Sequence, residues 1–364
     1  LTGAAAATDL AAQVTALRAG AGAFVLPRDV ISVRGDDAES YLQGQLSQDV
    51  AALDIGASVD SLLLQPDGKL TALLRVTRLD GVTFLLDVDG GYGDLVTARL
   101  KKFLLRSKVE MERLDWRCVA LRGAGVAEAA AGLLSVLAEA GVLAVPFEWN
   151  GWSGIDLLGP NDMVLDPATG GLPEGIVACG PDAVEACRIT SGIPAMGSEL
   201  GDKTIPAEAG LVERSVSFTK GCYTGQELVA RLDSRGNNVP RRLVGVIGGS
   251  STDEDNDVSP ATKLAAGMTL HSAEPPVTTM TDAASSDTGE SGTSGASLED
   301  VVADKIVGSV TSATWSPELN AWVGLAYLHR SIEAPGPVRV RSGDGLGPAH
   351  RARVTTLPLT DQST

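Results

Sequence analysis

From residue 243 to residue 357 the sequence reads as a series of short β runs with no helical pattern between them, at 243–247, 269–271, 306–315, 322–328, 338–340 and 352–357. Short strands without crossover helices restrict this third of the chain to a small β-barrel or sandwich. Two polar stretches interrupt it. Residues 250–260 carry Asp253, Glu254, Asp255 and Asp257, and residues 273–300 are dominated by Ser, Thr, Gly, Pro, Asp and Glu. Neither buries enough apolar surface to offset its ordering entropy, so both are expected to be disordered acidic inserts on barrel loops.

The first two thirds mix helices and strands. Residues 9–19 form an opening helix behind Thr8, with Gly20 as its stop. A strand follows at 24–33 and a helix at 36–46. Three strand-like runs at 58–65, 69–78 and 82–88 are separated by Pro66-Asp67-Gly68 and Asp80-Gly81, which predicts an antiparallel meander. Further helices are expected at 94–105, 126–140 and 181–190, the last opening on Pro181, with strands at 109–121 and 155–158. The pattern is α+β, and 364 residues suggest two or three domains.

A net charge of -17 disfavours a protein whose main task is holding nucleic acid. Local patches such as Lys101-Lys102 or Arg241-Arg242 suit a solvated surface or a local anionic ligand. Cys118, Cys179, Cys187 and Cys222 contain no C-x-x-C pair, which argues against a zinc ribbon or a redox pair and for a reduced, cytoplasmic setting. Residues 1–7 lack a basic segment followed by an apolar run, so no secretory signal is expected. The alanine- and leucine-rich region 126–147 is broken by Glu128 and Glu139 and reads as helix plus strand, not as a membrane span. His271, His329 and His350 stand apart in sequence and support no metal site.

The densest chemistry lies in K-G-C-Y-T-G-Q-E, from Lys220 to Glu227, continued to Arg231. A cation two residues from a thiol favours the thiolate, which makes Cys222 with Lys220 a candidate reactive pair; the alternative is a small buried side chain beside a loop lysine. Gly221 and Gly225 permit a sharp bend. Tyr223 covers an aromatic ligand or packs. Gln226 and Glu227 fix the loop or reach a ligand. Upstream, Gly192, Pro194 and Gly197 bring the chain round to present Glu199, whose two oxygens suit adjacent N–H donors such as a pterin edge.

With Y-L-Q-G-Q-L-S-Q-D-V at 41–50, L-Q-P-D-G-K-L at 64–70, G-I-P-A-M-G-S-E-L at 192–200, I-P-A-E at 205–208, F-T-K-G-C-Y-T-G-Q-E-L-V-A-R at 218–231 and G-L-A-Y-L-H-R at 324–330, the chain resembles the YgfZ-type folate-binding proteins, relatives of the aminomethyltransferase T-protein of glycine cleavage. The resemblance implies a multi-domain ring of antiparallel sheets and helices with a C-terminal β-barrel. It divides into an N-terminal α+β domain at 1–105 to which 181–240 returns, a ferredoxin-like domain at 106–180, and a barrel at 241–364. It further implies tetrahydrofolate, or a one-carbon derivative, in a central opening with its pterin on Glu199. Cys222 and Lys220 fall on the signature residues of a branch that supports assembly or repair of iron–sulfur proteins. Arg231 and Arg235 are candidates for the folate's glutamate tail on charge and proximity. The alternative reading is a folate-dependent one-carbon transferase, an aminomethyltransferase or demethylase. Against it, Thr71 and Ala72 stand where the transferases carry an aspartate, and neither can take a proton as a carboxylate does.

Overall fold

The structure, a computed structural model, describes residues 2–167, 171–236, 238–248, 262–272, 305–343 and 348–359. The two stretches expected to be disordered inserts, 250–260 and 273–300, lie wholly outside the described residues. The described residues form three β bodies. The first is a five-stranded antiparallel sheet in the order Ser58–Leu64, Leu70–Arg78, Thr83–Asp89, Arg28–Arg34, Glu110–Leu114. Helices Ala38–Gln45 and Gly93–Lys101 pack on it. They bury Tyr41, Leu42, Val96 and Leu100 against Leu62, Leu74 and Leu86.

The second sheet runs in the order Val177–Ala178, Gly22–Leu26, Trp116–Arg122, Trp152–Pro160, Leu143–Trp149, antiparallel except for its first pair. Its membership departs from the expected boundary at residue 105. The run 24–33 is two strands, split at Pro27, and the run 109–121 is two strands, split at Asp115. Pro27 has no N–H to continue a ladder. The two split runs pair with each other on both sides of the break, Val30 opposite Leu114 in the first sheet and Leu26 opposite Cys118 in the second. One antiparallel ribbon therefore threads through both sheets. The helix expected at 126–140 is likewise two, Val126–Ala129 and Ala131–Glu139.

The third body is a closed barrel in the order Arg241–Gly248, Ala321–His329, Ile306–Ser316, Thr269–Ser272, Gly336–Arg341, His350–Thr355. Val244, Val246, Val338, Val340, Ala352 and Val354 alternate along their strands and fill its interior, the period-two pattern of a strand with one buried face. Helix Pro181–Thr190 joins the bodies: Ala183, Ala186 and Cys187 face Val14 and Leu17 of the opening helix Thr2–Arg18, while Ile189 packs on Val323, Leu325 and Leu359 of the barrel body. No helix among the described residues is long and apolar enough to cross a membrane.

Candidate functional site

Where the ribbon passes between the sheets lies a cavity of about 330 Å³, lined by Phe24, Phe147, Trp149 and Trp152 together with Arg28, Arg75, Arg122, Asp156 and Arg188. Its aromatic wall is ordered. Phe24 stacks on Trp152 at 6.3 Å between centroids, Phe147 meets Trp152 edge-on at 6.0 Å, and Trp152 Nε1 donates to Leu17 O at 2.9 Å. The Arg122 guanidinium sits 3.7 Å from the Phe147 ring centroid.

A chain of alternating charges runs beneath this wall. Arg28 Nη1 donates to Asp89 and Nε to Asp87 Oδ1 at 2.8 Å; Arg75 Nε donates to Asp87 Oδ2 at 3.0 Å. Arg75 Nη1 then donates to Asp156 Oδ2, and Arg122 Nη2 to Asp156 Oδ1, both at 2.6 Å. The Arg75–Asp156 contact ties the first sheet to the second. Burial alone would raise the Asp156 pKa, but the guanidinium charges of Arg122 and Arg75 outweigh it and hold the carboxyl at about 2. Arg122 is 1% exposed, and its Nε is buried with no acceptor. These charges lie inside otherwise apolar strand runs, T-F-L-L-D-V-D and G-I-D-L-L. Charges inside apolar runs are a signal that sequence reading passed over.

Glu199 is adjacent but differently engaged. Its Oε2 accepts from Arg188 Nη1 and Ala195 N at 3.0 Å, and its Oε1 accepts from Thr311 Oγ1 at 2.7 Å and Ser312 Oγ at 2.5 Å. Consecutive strand residues ordinarily point to opposite faces. Here the register shifts between Val310 and Ser312, and the bulge lets both hydroxyls reach one carboxylate. With four protein donors and a fully covered side chain, Glu199 has no lone pair facing the aromatic cavity. Its carboxylate instead locks Arg188, a cavity residue, and the barrel strand Ile306–Ser316 together.

On the far side of Glu199 lies a wider groove of about 700 Å³ between helix Gly93–Lys101, residues 196–204 and the barrel. Gln65, Thr71, Ser198, Ser309 and Thr311 give it a polar lining, and Arg99, Lys102, Lys203 and Arg241 give it positive charge.

The K-G-C-Y-T-G-Q-E loop occupies a third place. Lys220 Nζ donates to the carbonyls of Gln43, Leu46 and Gln48 at 2.6, 2.7 and 2.9 Å, closing the C-terminal end of helix Ala38–Gln45. All three N–H bonds of the ammonium are used, so none is left for the Cys222 sulfur. The expected thiol–lysine pair is thus absent, and the lysine acts as an anchor. Burial draws its pKa down to about 8, opposed by Asp49. Cys222 itself is exposed. Cys118 and Cys187 are buried, and burial pushes both thiols up, Cys187 to about 12.

Tyr223 is 9% exposed, inside the first-sheet core. Gln226 Oε1 accepts from Tyr223 N at 3.2 Å, the loop-fixing role. Arg231 and Arg235 are exposed on and after helix Gln226–Asp233 and line neither cavity. Glu199 and Cys222 therefore do not share a cavity. The sequence motifs nevertheless meet in space. Thr224 N donates to Gly44 O, and a Cβ on Gly225 would lie 2.4 Å from Gln65 O, so runs 41–50, 64–70 and 218–231 form one packed corner.

Comparison with known proteins places this architecture. The glycine cleavage T-protein C-terminal barrel domain matches residues 291–361. A tRNA-modifying protein YgfZ of Vibrio vulnificus is 32% identical over 236 residues, 62% of this chain and 70% of that one. An aminomethyltransferase of Streptomyces avermitilis is 26% identical across 89% of this chain and 82% of its own length. The crystal structure of glycine cleavage system aminomethyltransferase T from Bartonella henselae superposes with a TM-score of 0.72 over 97% of this chain and 90% of that chain, at 21% identity. Three β bodies, a closed C-terminal barrel and the collinear motifs around Lys220 together make this chain a member of the YgfZ family, within the wider group of aminomethyltransferase-like proteins.

Proposed function

We propose that the aromatic cavity takes the pterin ring of tetrahydrofolate, and that the chain is a folate-binding accessory protein for iron–sulfur cluster assembly or repair. The observation that carries this reading is the cavity itself: four aromatic side chains around a buried, ionised Asp156. A flat, N–H-rich ring needs aromatic walls and a carboxylate at its edge. Asp156 spends one guanidinium bond on each oxygen and retains acceptor capacity, and the orphaned Nε of Arg122 suits an acceptor on the ring. A volume of about 330 Å³ falls within the range of small-molecule sites. Bound tetrahydrofolate would supply an amine that carries a one-carbon group. Glu199 acts through Arg188, holding it at the cavity. Cys222 is the thiol offered to a client protein or sulfur species, since it is exposed where Cys179 is only partly exposed and Cys118 and Cys187 are buried.

Val184 lines the cavity from the partly exposed side of helix Pro181–Thr190, so Val184→Trp blocks the space without touching the charge chain. Calorimetric titration of tetrahydrofolate should show at least a roughly tenfold loss of affinity in this variant; equal affinity would remove the cavity from the reading. In a strain lacking the gene, Cys222→Ala should restore iron–sulfur enzyme activity only in part. Full restoration would remove the thiol.

The alternative, a one-carbon transferase, is favoured by the alignment with the Streptomyces aminomethyltransferase over most of both chains. Thr71 lines the polar groove and Ala72 is fully buried, so neither supplies a carboxylate. Folate-dependent carbon transfer in a turnover assay would revive it.

A further inference from the structure

The polar groove beyond Glu199 is not used by the folate reading, and the surface at its mouth is unlike the rest of the molecule. The net charge of -17 is concentrated elsewhere: residues 249–261 and 273–304 hold eleven Asp and Glu and no Lys or Arg. Lys102 and Lys203 line the groove, Lys101 and Arg106 are exposed beside it at and just after the end of helix Gly93–Lys101, and none of the four makes an ion pair with a described residue. Three of them lie in the run K-K-F-L-L-R, whose Phe103 is 39% exposed despite its size. Below Phe103, Arg99 places its guanidinium 4.2 Å from the ring centroid. Arg99 is 8% exposed and lines the groove, and its Nε is buried without an acceptor. Burial accordingly lowers its pKa, with Tyr41 opposing. Two acids line the groove, Glu199, whose carboxylate is taken by four protein donors, and Asp202, which would work against an anion here.

Two unpaired cations in the groove and two beside it, an exposed ring backed by a guanidinium, and a buried donor without an acceptor satisfy the needs of one ligand class. Phosphates repeat along a single strand and meet the lysines, while a base stacks on the aromatic platform. A lipid surface fits less well, because a bilayer cannot enter a groove lined by hydroxyls and amides. We infer that this groove binds single-stranded nucleic acid, with Lys101, Lys102, Arg106 and Lys203 on the phosphates, Phe103 under a base and Arg99 on a phosphate or base-edge oxygen. The site is separate from the aromatic cavity and does not depend on what that cavity holds.

Fluorescence anisotropy tests it, with the full chain and a labelled oligouridine of about 12 nucleotides beside its DNA counterpart. Wild type should bind, and lose roughly tenfold or more in affinity between about 50 and about 200 mM salt. The triple variant Lys101→Glu, Lys102→Glu, Arg106→Glu should weaken binding at least roughly tenfold and flatten the salt slope by about 2. Phe103→Ala should cost roughly tenfold with the slope unchanged, and Lys305→Glu, at an exposed barrel position, should change nothing. Thermal melts establish that each variant is folded. Equal RNA and DNA binding supports phosphate-and-stacking recognition, and RNA preference adds a reading of the 2′-hydroxyl. The proposal is overturned by undetectable binding to wild type, by a triple variant that binds as wild type does, or by vesicles of anionic lipid capturing wild type when neither oligonucleotide does.

Discussion

Asp156 is the residue on which both the cavity and the joining of the two sheets depend. It takes one guanidinium from each sheet, and its pKa of about 2 lies below the ordinary 3.8. Because the folded value is depressed, the charged form contributes stability that is complete above about pH 4 and is lost as pH falls towards 2. Asp156→Asn is expected to cost about 3 kcal/mol at neutral pH, since it leaves Arg122 buried without a countercharge and Arg75 with Asp87 alone. About 2 kcal/mol of that should be pH-dependent. Urea unfolding should give a wild-type-to-variant difference that is flat above pH 5 and shrinks below pH 4; a difference constant down to pH 3 would show that Asp156 is not held ionised. This residue was not legible in the sequence, because its partners lie 34 and 81 positions away. Glu199 and Cys222 were conspicuous through their glycine-rich neighbourhoods. What those neighbourhoods could not show is that four protein donors already occupy Glu199 and that Lys220 points away to backbone carbonyls.

At the scale of elements, turn chemistry was readable and the sharing of strands was not. Pro66-Asp67-Gly68 and Asp80-Gly81 mark the two hairpins of the meander as expected, because those residues act on their own backbone. The ribbon divides at Pro27 and Asp115 between sheets, which depends on what each half meets after the break. Pro27 within an apolar run was the available warning. The corner built by runs 41–50, 64–70 and 218–231 is an element-scale object too, and Lys220 is its pin. Lys220→Met removes three charge-assisted bonds from the end of helix Ala38–Gln45. It should lower stability by about 1–2 kcal/mol, tempered by the cost of burying the ammonium. Hydrogen exchange at the Thr224 amide, now held by Gly44 O, should accelerate by roughly tenfold. Unchanged exchange would mean that the loop is pinned by Tyr223 and Gly225 alone.

For the whole molecule, the C-terminal barrel was foreseen from its helix-free run of strands, yet nothing in that run says how a barrel is held against two sheets. The apolar part of the joint is Ile189 on Val323, Leu325 and Leu359. Its polar part is Glu199, which takes Thr311 and Ser312 from the barrel, Ala195 N from its own loop and Arg188 from the joining helix. Tyr327 of the barrel adds a bond to Glu199 O at 3.0 Å, and burial drives its hydroxyl pKa upward. Glu199→Gln keeps the shape but offers one acceptor oxygen where there were two, so a donor on one side is left unpaired and the remaining bonds lose their charge. The part-buried Arg188 retains Glu185, which limits the loss to about 2–3 kcal/mol. The effect should fall on the joint, not on the barrel's closed ladder. Calorimetry should therefore show the barrel's unfolding separating from that of the sheets, and limited proteolysis should release a fragment beginning near Arg241. A single transition shifted as a unit would place the cooperative link elsewhere, in the apolar contact of Ile189 with the barrel.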